Sequence, residues 1–323
     1  MSTAGEPSSA RGSITVEARG KVNLGLAVLA RRGDGFHQIE TLFARVLLAD
    51  LLEVELLEQG AGVELLLAAT PGTDLGLVPP GADNLAVKAA HAYLEAWSGL
   101  TGQPGPGLRI RLTKAIPVAA GLGGGSADAG AVLRALAELL PIGPSPATTP
   151  AGQLATQPAA RPAAQPSDTV MRIAATLGSD VPFFASGLAA ATATGRGERL
   201  KPAAVPRCEL ILAKPALGVS AAEAYRALVG FTPRLRPERS LEALAHGAKP
   251  GWSNALQPGV LRLHPEIREV LEALRRAGLR GVLMSGSGPT CFGLAAGPLE
   301  AAEVAAALAA QRSGWWVATT ATG

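Results

Sequence analysis

The segment Pro117-Val-Ala-Ala-Gly-Leu-Gly-Gly-Gly-Ser-Ala-Asp-Ala-Gly130 constrains this chain more than any other. Gly121, Gly123, Gly124 and Gly125 lead into Ser126, and a run with helical period, Ala131–Leu140, follows. Glycine lets a backbone turn sharply and come close to a ligand. A helix start offers unpaired N–H groups and a partial positive charge. Apolar residues upstream, in Leu108-Arg-Ile-Arg-Leu112, suggest a strand feeding the loop. Strand, glycine loop and helix start together make a cradle for a polyphosphate. The spelling narrows the type: no lysine follows the glycines as a P-loop requires. Counting from Gly121, the sixth position is Ser126 rather than the glycine of a dinucleotide fingerprint.

At 323 residues the chain suits two domains packed together, and 48% hydrophobic content supplies a sizeable core. The net charge of +3 is spread thinly, without the dense basic stripe of a nucleic-acid binder, so no nucleic-acid partner is expected. Cys208 and Cys291 lie far apart, which reads as a reducing compartment without a zinc site. The first ten residues carry no signal-type apolar segment, and no uncharged apolar run reaches bilayer length. The expectation is a cytoplasmic protein with no membrane partner. Oligomeric state leaves no mark in the sequence.

Periodicity predicts an α+β fold. Residues 1–12 read as a disordered tail. Strands are expected at Ile14–Ala18, Val22–Ala30, Leu51–Leu57, Val63–Ala68 and 108–113. Helices are expected from Asp83 or Asn84 to about Trp97, from Ser126 to Leu140, and over Asp168–Leu177. Between 141 and 167 the composition shifts to Pro, Ala, Gln and Thr, which cannot bury enough apolar surface to offset ordering entropy. That stretch reads as a disordered insertion. The second half alternates strands near 189–194, 209–213, 282–285, 290–294 and 315–319 with helices near 221–229, 241–245, 266–276 and 299–311. The order is strand-rich and not strictly alternating, unlike a doubly wound parallel sheet.

Three further constellations stand beside the glycine loop. In Lys21-Val-Asn-Leu, Lys21 and Asn23 share one strand face, pointing either into a cleft or along an ordinary polar edge. In Gly178-Ser-Asp-Val-Pro-Phe-Phe184, Asp180 follows a helix-ending glycine, and Pro182 biases the residue before it towards an extended conformation. Asp180 there is either a proton acceptor for an attacking hydroxyl or a simple turn or N-cap. Met284-Ser-Gly-Ser-Gly-Pro-Thr-Cys-Phe292 forms either a second backbone nest or a tight hairpin, and the two are compatible.

These pieces, with Asp34-Gly-Phe-His37 and Asp83-Asn-Leu85, occur in one order along the chain. The whole resembles the GHMP kinase superfamily over roughly residues 14–320, the insertion excepted. Within it, Asp34-Gly-Phe-His37 and Gly178-Ser-Asp-Val-Pro182 select the branch whose acceptor alcohol, a methylerythritol of the non-mevalonate isoprenoid pathway, bears a cytidine diphosphate group. The resemblance implies an N-terminal domain of ribosomal-protein-S5-like fold over 13–190 and a C-terminal ferredoxin-like domain over 191–323, with the substrate between them. It implies Lys21 and Asp180 as the catalytic pair. Pro117, Gly121, Leu122, Gly123, Gly124, Gly125 and Ser126, with Asn84 near the adenine, would bind ATP. Asn23, Phe36 and His37 would bind the acceptor. ATP and Mg²⁺ follow as cosubstrate and cofactor, without a dedicated set of protein metal ligands. Ala127 departs from the family's second serine, which removes any side-chain role at that position, and Gly20 replaces the usual alanine before Lys21. Kinases for homoserine- or mevalonate-type alcohols, and a non-catalytic nucleotide-binding regulator, are the competing readings.

Overall fold

In the computed structural model, which describes residues 12–142 and 166–323, the first half of the chain is organised by two long strands. Strand β1 (Ser13–Arg31) and strand β2 (His37–Gln59) pair antiparallel over almost their whole length. The other edge of β2 is shared: β4 (Pro106–Lys114) pairs with Leu51–Gln59, and β5 (Ala190–Gly195) with Ile39–Ala44. Strand β3 (Val63–Ala69) runs parallel to β4, and β6 (Arg199–Pro202) closes the far side against β5.

Sequence periodicity predicts two short strands where β1 is one. The break it sees at Arg19-Gly20 is a register shift inside a continuous strand, from Arg19↔Ala49 to Lys21↔Arg45. Such an irregularity re-aims the next side chain, here Lys21. The first half of β2 is invisible to alternation because residues 41–46 are buried on both faces. Helices α1 (Leu85–Thr101), α2 (Gly124–Leu139), α3 (Asp168–Leu177) and α4 (Val181–Ala185) cover the sheet. Small residues, Ala86, Ala89, Ala90, Ala131 and Ala135, let these helices pack closely around Tyr93, Phe183 and Phe184. The Tyr93 hydroxyl donates to Leu140 O (2.7 Å), supplying a partner for a carbonyl at the end of α2.

The second half builds a four-stranded antiparallel sheet in the order β10-β7-β9-β8, from β7 (Glu209–Lys214), β8 (Arg280–Met284), β9 (Cys291–Leu294) and β10 (Trp316–Ala321). Five helices accompany it: α5 (Ala221–Arg226), α6 (Pro237–Ala245), α7 (Gln257–Leu263), α8 (Glu266–Arg276) and α9 (Pro298–Gln311). Helix α8 shows how sequence selects its face. Ile267, Val270, Leu271 and Leu274 recur at helical spacing and are buried, while glutamates open the helix and arginines close it, matching its dipole.

The remaining edge of β1 joins the two halves. Leu26 N donates to Ser253 O (2.9 Å), Ala255 N donates to Leu26 O (2.8 Å), and Thr232 N donates to Val28 O (2.8 Å). Four features differ from the sequence reading. Strands β5 and β6 belong to the larger sheet, so the sheets divide between Pro202 and Glu209 rather than at 190. Helices α4 and α7 are absent from the sequence reading because, at 5 and 7 residues, each is too short to show a helical period. The expected tail and insertion fall largely on 1–11 and 143–165, outside the described residues. Their borders are structured: Gly12 O accepts from Leu56 N, Ile142 packs on the core, and Ser167 caps α3.

Gly130 marks where α2 meets α4. A Cβ there would stand 2.5 Å from the Phe184 Cβ and 2.8 Å from its backbone carbon. Helix propensity alone would make Gly130→Ala stabilising by about 0.5–1 kcal/mol. The clash reverses the sign, and overpacking of this kind costs roughly 1–3 kcal/mol. Urea unfolding should show net destabilisation; a more stable variant would mean that α2 and α4 are not pressed together here.

Candidate active site

One cavity of about 1060 Å³ opens between the two halves, walled by the glycine loop, β1 and the turn joining β8 to β9. The walls interlock backbone to backbone. Gly121 has φ 74°, and a Cβ on it would come 2.2 Å from Ser285 O. A Cβ on Gly286 would lie 3.0 Å from both the Asn23 Oδ1 and the Lys21 Nζ. The Ser285 hydroxyl donates to Gly121 O (3.0 Å), and Thr290 N donates to Ala120 O (3.3 Å). Residues 284–292 form the hairpin, and Gly286 and Ser287 in its turn line the cavity. Gly123, also left-handed at φ 74°, caps α2 without a side chain, leaving the helix start open. Pro117, Gly124, Gly125 and Ser126 line the cavity at this end. Leu122 does not: its side chain is buried in the core, and only its carbonyl takes part, accepting from Lys21 N (2.9 Å). Its backbone follows the glycine turn while its apolar side chain turns away from the cavity.

Lys21 is buried, with 3% of its surface exposed. An ammonium has three protons to donate. Two go to Asn23 Oδ1 (2.5 Å) and Gly121 O (2.9 Å), and the third is left for Asp180, whose Oδ2 lies 3.7 Å away. Asn23 is fixed in turn: its Nδ2 donates to the Thr41 hydroxyl (2.7 Å), which donates to Gly25 O (2.7 Å). Burial lowers the Lys21 pKa, and Asp180 opposes that by charge and by hydrogen bonding. Asp180 is the N-cap residue of α4, yet its carboxylate makes no capping hydrogen bond. It is thus free to face the cavity. The extended bias that Pro182 places on its neighbour is overridden, since Val181 already belongs to α4.

Phe36 and His37, at the turn between β1 and β2, also line the cavity. Asp34 shapes that turn, pairing with Arg32 (2.9 Å) and accepting from Phe36 N (3.1 Å). The Phe36 ring is 50% exposed, with the Arg196 guanidinium 4.8 Å from its centroid. His37 stacks on Tyr225, centroids 5.0 Å apart and planes at 16°. Burial, and then the charge of Arg31, lowers the His37 pKa, so the imidazole is neutral at pH 7. Burial raises the Tyr225 pKa, with the charge of Asp180 adding to the effect. Asn84 sits elsewhere on the wall, capping α1 through Oδ1 to Ala86 N (2.9 Å). The sequence reading missed Tyr225, Arg196 and Lys114, all cavity-lining. A lone tyrosine on a short helix, an arginine in a turn and a lysine ending a strand carry no signal until the fold brings them together.

A family model for GHMP kinases N terminal domain matches residues 84–188, and one for GHMP kinases C terminal matches residues 233–313. A relative from Thermus thermophilus, named 4-diphosphocytidyl-2-C-methyl-D-erythritol kinase, is 44% identical over 92% of this chain and 94% of its own. One of the same name from Deinococcus radiodurans is 43% identical over 93% of this chain and 90% of its own. A crystal structure of 4-(cytidine 5'-diphospho)-2C-methyl-D-erythritol kinase superposes with a TM-score of 0.74 at 42% identity, covering 96% of this chain and all of that one. This chain belongs to that GHMP kinase family. A mevalonate kinase from L. major, 16% identical with a TM-score of 0.65, shares the fold.

Beneath the cradle of this kinase lies a second buried charge cluster. The Lys114 ammonium, at the end of β4, contacts Asp50 Oδ2 and Asp128 Oδ2 (2.6 Å to the latter). Asp50 Oδ1 also accepts from Ala115 N (2.6 Å) and Ile116 N (2.8 Å), which pins the chain just before the glycine loop. Asp128 Oδ1 is buried without a hydrogen-bond partner among the described residues. Two carboxylates against one ammonium leave one charge unbalanced. Burial pushes the Asp128 pKa up to about 8, assisted by Asp50 and opposed by Lys114. Among the described residues, no group of three or more His, Cys, Asp and Glu side chains could hold a metal ion, and no helix is long and apolar enough to cross a membrane.

The sign of the pH dependence follows. A carboxyl group whose folded pKa is raised contributes stability that is present in acid and lost as pH climbs towards that pKa. Asp128 should cost the wild type stability between about pH 4 and pH 8, relative to a neutral isostere. Urea unfolding of Asp128→Asn and wild type at pH 5 and pH 8 should show the difference shifting in favour of the variant at the higher pH. A pH-independent difference would mean that Asp128 is ionised throughout.

Proposed function

We infer that this chain transfers the γ-phosphoryl group of ATP to the 2-hydroxyl of 4-diphosphocytidyl-2-C-methyl-D-erythritol, as its family membership implies. The observation that carries the residue-level reading is the pairing of Lys21 with Asp180 at 3.7 Å, between a polyphosphate cradle and an aromatic acceptor pocket. Phosphoryl transfer needs positioning and electrostatic stabilisation more than covalent chemistry from the protein. Asp180 orients the acceptor hydroxyl and takes its proton. Lys21 pairs with Asp180 and stabilises charge on the acceptor and phosphoryl oxygens. Two fixed acceptors, Asn23 Oδ1 and Gly121 O, hold its ammonium in place for this.

The N–H groups at the start of α2 hold the phosphates, and Asn84 and Pro117 line the nucleotide end. Phe36, His37 and Tyr225 receive the cytosine, the neutral imidazole avoiding a buried charge beside the base. The cavity suits Mg²⁺ carried in with the nucleotide. The aspartates that line it, Asp83, Asp128 and Asp180, each already face a lysine, and Mg²⁺ takes phosphate and water oxygens with few protein ligands. Ser126 is the residue that would hold it, and the ion would supply neutralisation of phosphate charge. The pocket is built for a small molecule, and no role for nucleic acid or a membrane is proposed. A cytoplasmic location fits an enzyme with soluble substrates and two free cysteines.

The test is a panel of acceptor alcohols, with and without a cytidine diphosphate group, incubated with ATP and Mg²⁺. ATP-dependent phosphorylation of the cytidylated acceptor alone is expected; comparable turnover of homoserine or mevalonate would overturn the reading. Asp180→Asn should lower kcat on the order of 10²-fold or more while leaving the KM for ATP nearly unchanged. Near-normal turnover would remove Asp180 from the mechanism. Phe36→Ala should raise the KM for the cytidylated acceptor roughly tenfold, the loss of about 1.4 kcal/mol of stacking. Equal effects on ATP and acceptor would return Phe36 to being a turn residue.

A further inference from the structure

Helix α4 poses a physical problem. It is five residues long, too short to persist by its own hydrogen bonds, yet it carries Asp180 at its N-terminus. What fixes α4 therefore fixes Asp180. At its other end the Phe183 and Phe184 carbonyls, buried with their side chains, lie beyond the helical N–H donors, and the Ser186 hydroxyl donates to Phe183 O (2.8 Å).

Two arginines from different elements meet those carbonyls. Arg45 Nη2, from β2, donates to Phe184 O (2.8 Å) and Phe183 O (3.2 Å). Arg134 Nη1, from α2, donates to Phe184 O (2.5 Å), while its Nη2 reaches Glu17 O (3.2 Å) on β1. The Arg45 guanidinium also lies 5.5 Å from the Phe183 ring centroid and 6.0 Å from that of Phe184. Its Nε is buried without a partner, so the hydrogen bonds of this side chain go to α4 alone among the described residues. Neither arginine draws its pKa from a nearby carboxylate; burial lowers both, and Arg134 pushes Arg45 down further, to about 9. Burying Arg45 beside the half-buried Arg134, with no carboxylate paired to either among the described residues, is costly. A merely structural position would be filled more cheaply by an apolar side chain.

The strand register explains what is gained. Lys21 and Arg45 are direct cross-strand partners. One holds the carboxylate at the start of α4, the other the carbonyls at its end. Phe43, two residues before Arg45 on the same strand face, stacks on Phe183 at 4.9 Å and carries the Lys21 ammonium 5.6 Å from its ring centroid. Arg134 adds the helix that begins at the phosphate cradle. We propose that Arg45 is a positioning residue for Asp180, and that with Arg134 it clasps α4 to β2 and α2, setting the distance between the proton acceptor and the phosphate cradle.

This rests on Asp180 acting as the base, and a double-mutant cycle on the full chain separates the two ideas. Arg45→Met keeps the apolar stem and removes both hydrogen bonds. Its kcat should fall about tenfold or more, since small displacements of a catalytic group can cost 10²-fold, while the KM for ATP stays within about twofold. Arg45→Lys should recover part of the loss. In an Asp180→Asn background the same Arg45→Met change should slow turnover by less than about twofold, because a base that is absent cannot be misplaced. Equal slowing in both backgrounds, or an unchanged kcat in the folded single variant, overturns the proposal. If Arg45→Met does not fold, Arg134→Met, which removes only one of the three bonds to α4, goes through the same cycle with the same criteria. Normal turnover of Asp180→Asn alone would instead overturn the assignment of Asp180, whatever Arg45 does.

Discussion

A lysine ammonium held away from water is the constraint around which this molecule is arranged. Burial disfavours its charge, so every acceptor near it must be supplied by the protein. Lys21 draws them from three separate segments: Asn23 on its own strand, Gly121 in the cradle and Asp180 at the head of α4. The irregular register at Arg19/Lys21 aims the side chain, and the absence of a side chain on Gly286 leaves room for it. Loss of any one partner would leave a buried charge short of compensation. The same requirement brings the glycine loop, Asp180 and the turn before β9 to one point.

Buried charge recurs in the N-terminal half with three different solutions. Lys21 has one carboxylate nearby and neutral oxygens besides. Lys114 has two carboxylates, and the surplus charge is relieved by pushing the Asp128 pKa up to about 8. Among the described residues, Arg45 and Arg134 donate to backbone carbonyls, and Arg45 also lies against two aromatic rings. A core built for stability alone would avoid such arrangements. Each instead sits against an element bearing on the cavity: Asp180, the start of α2, or the short helix that carries Asp180.

The two halves divide the chemistry and share β1. Its one edge pairs with β2, and its other edge accepts and donates hydrogen bonds to the cradle, to 253–255 and to Thr232. The cavity therefore lies along a strand that both halves contact. Tyr225, from α5 in the second half, stacks on His37 from the first, so this part of the cavity takes one aromatic ring from each side.

The sequence by itself determined the local parts. Glycine spacing specified a turn no other residue could make, and α8 and α3 were legible because their apolar residues recur at helical period and their ends carry caps or dipole-matching charges. The order of the motifs marked the family, and Lys21, Asp180, Phe36 and His37 could be singled out from it. Strands buried on both faces could not be read, since β2 lacks alternation over 41–46. Nor could Tyr225, Arg196, Lys114 or Arg45, whose spacing along the chain is meaningless. Only the tertiary structure decided these, and the reason is physical. A side chain's partners across a sheet or between helices are set by register and packing, which sequence proximity does not encode. The Lys21↔Arg45 pairing, from two strands separated by a turn, is the plainest case.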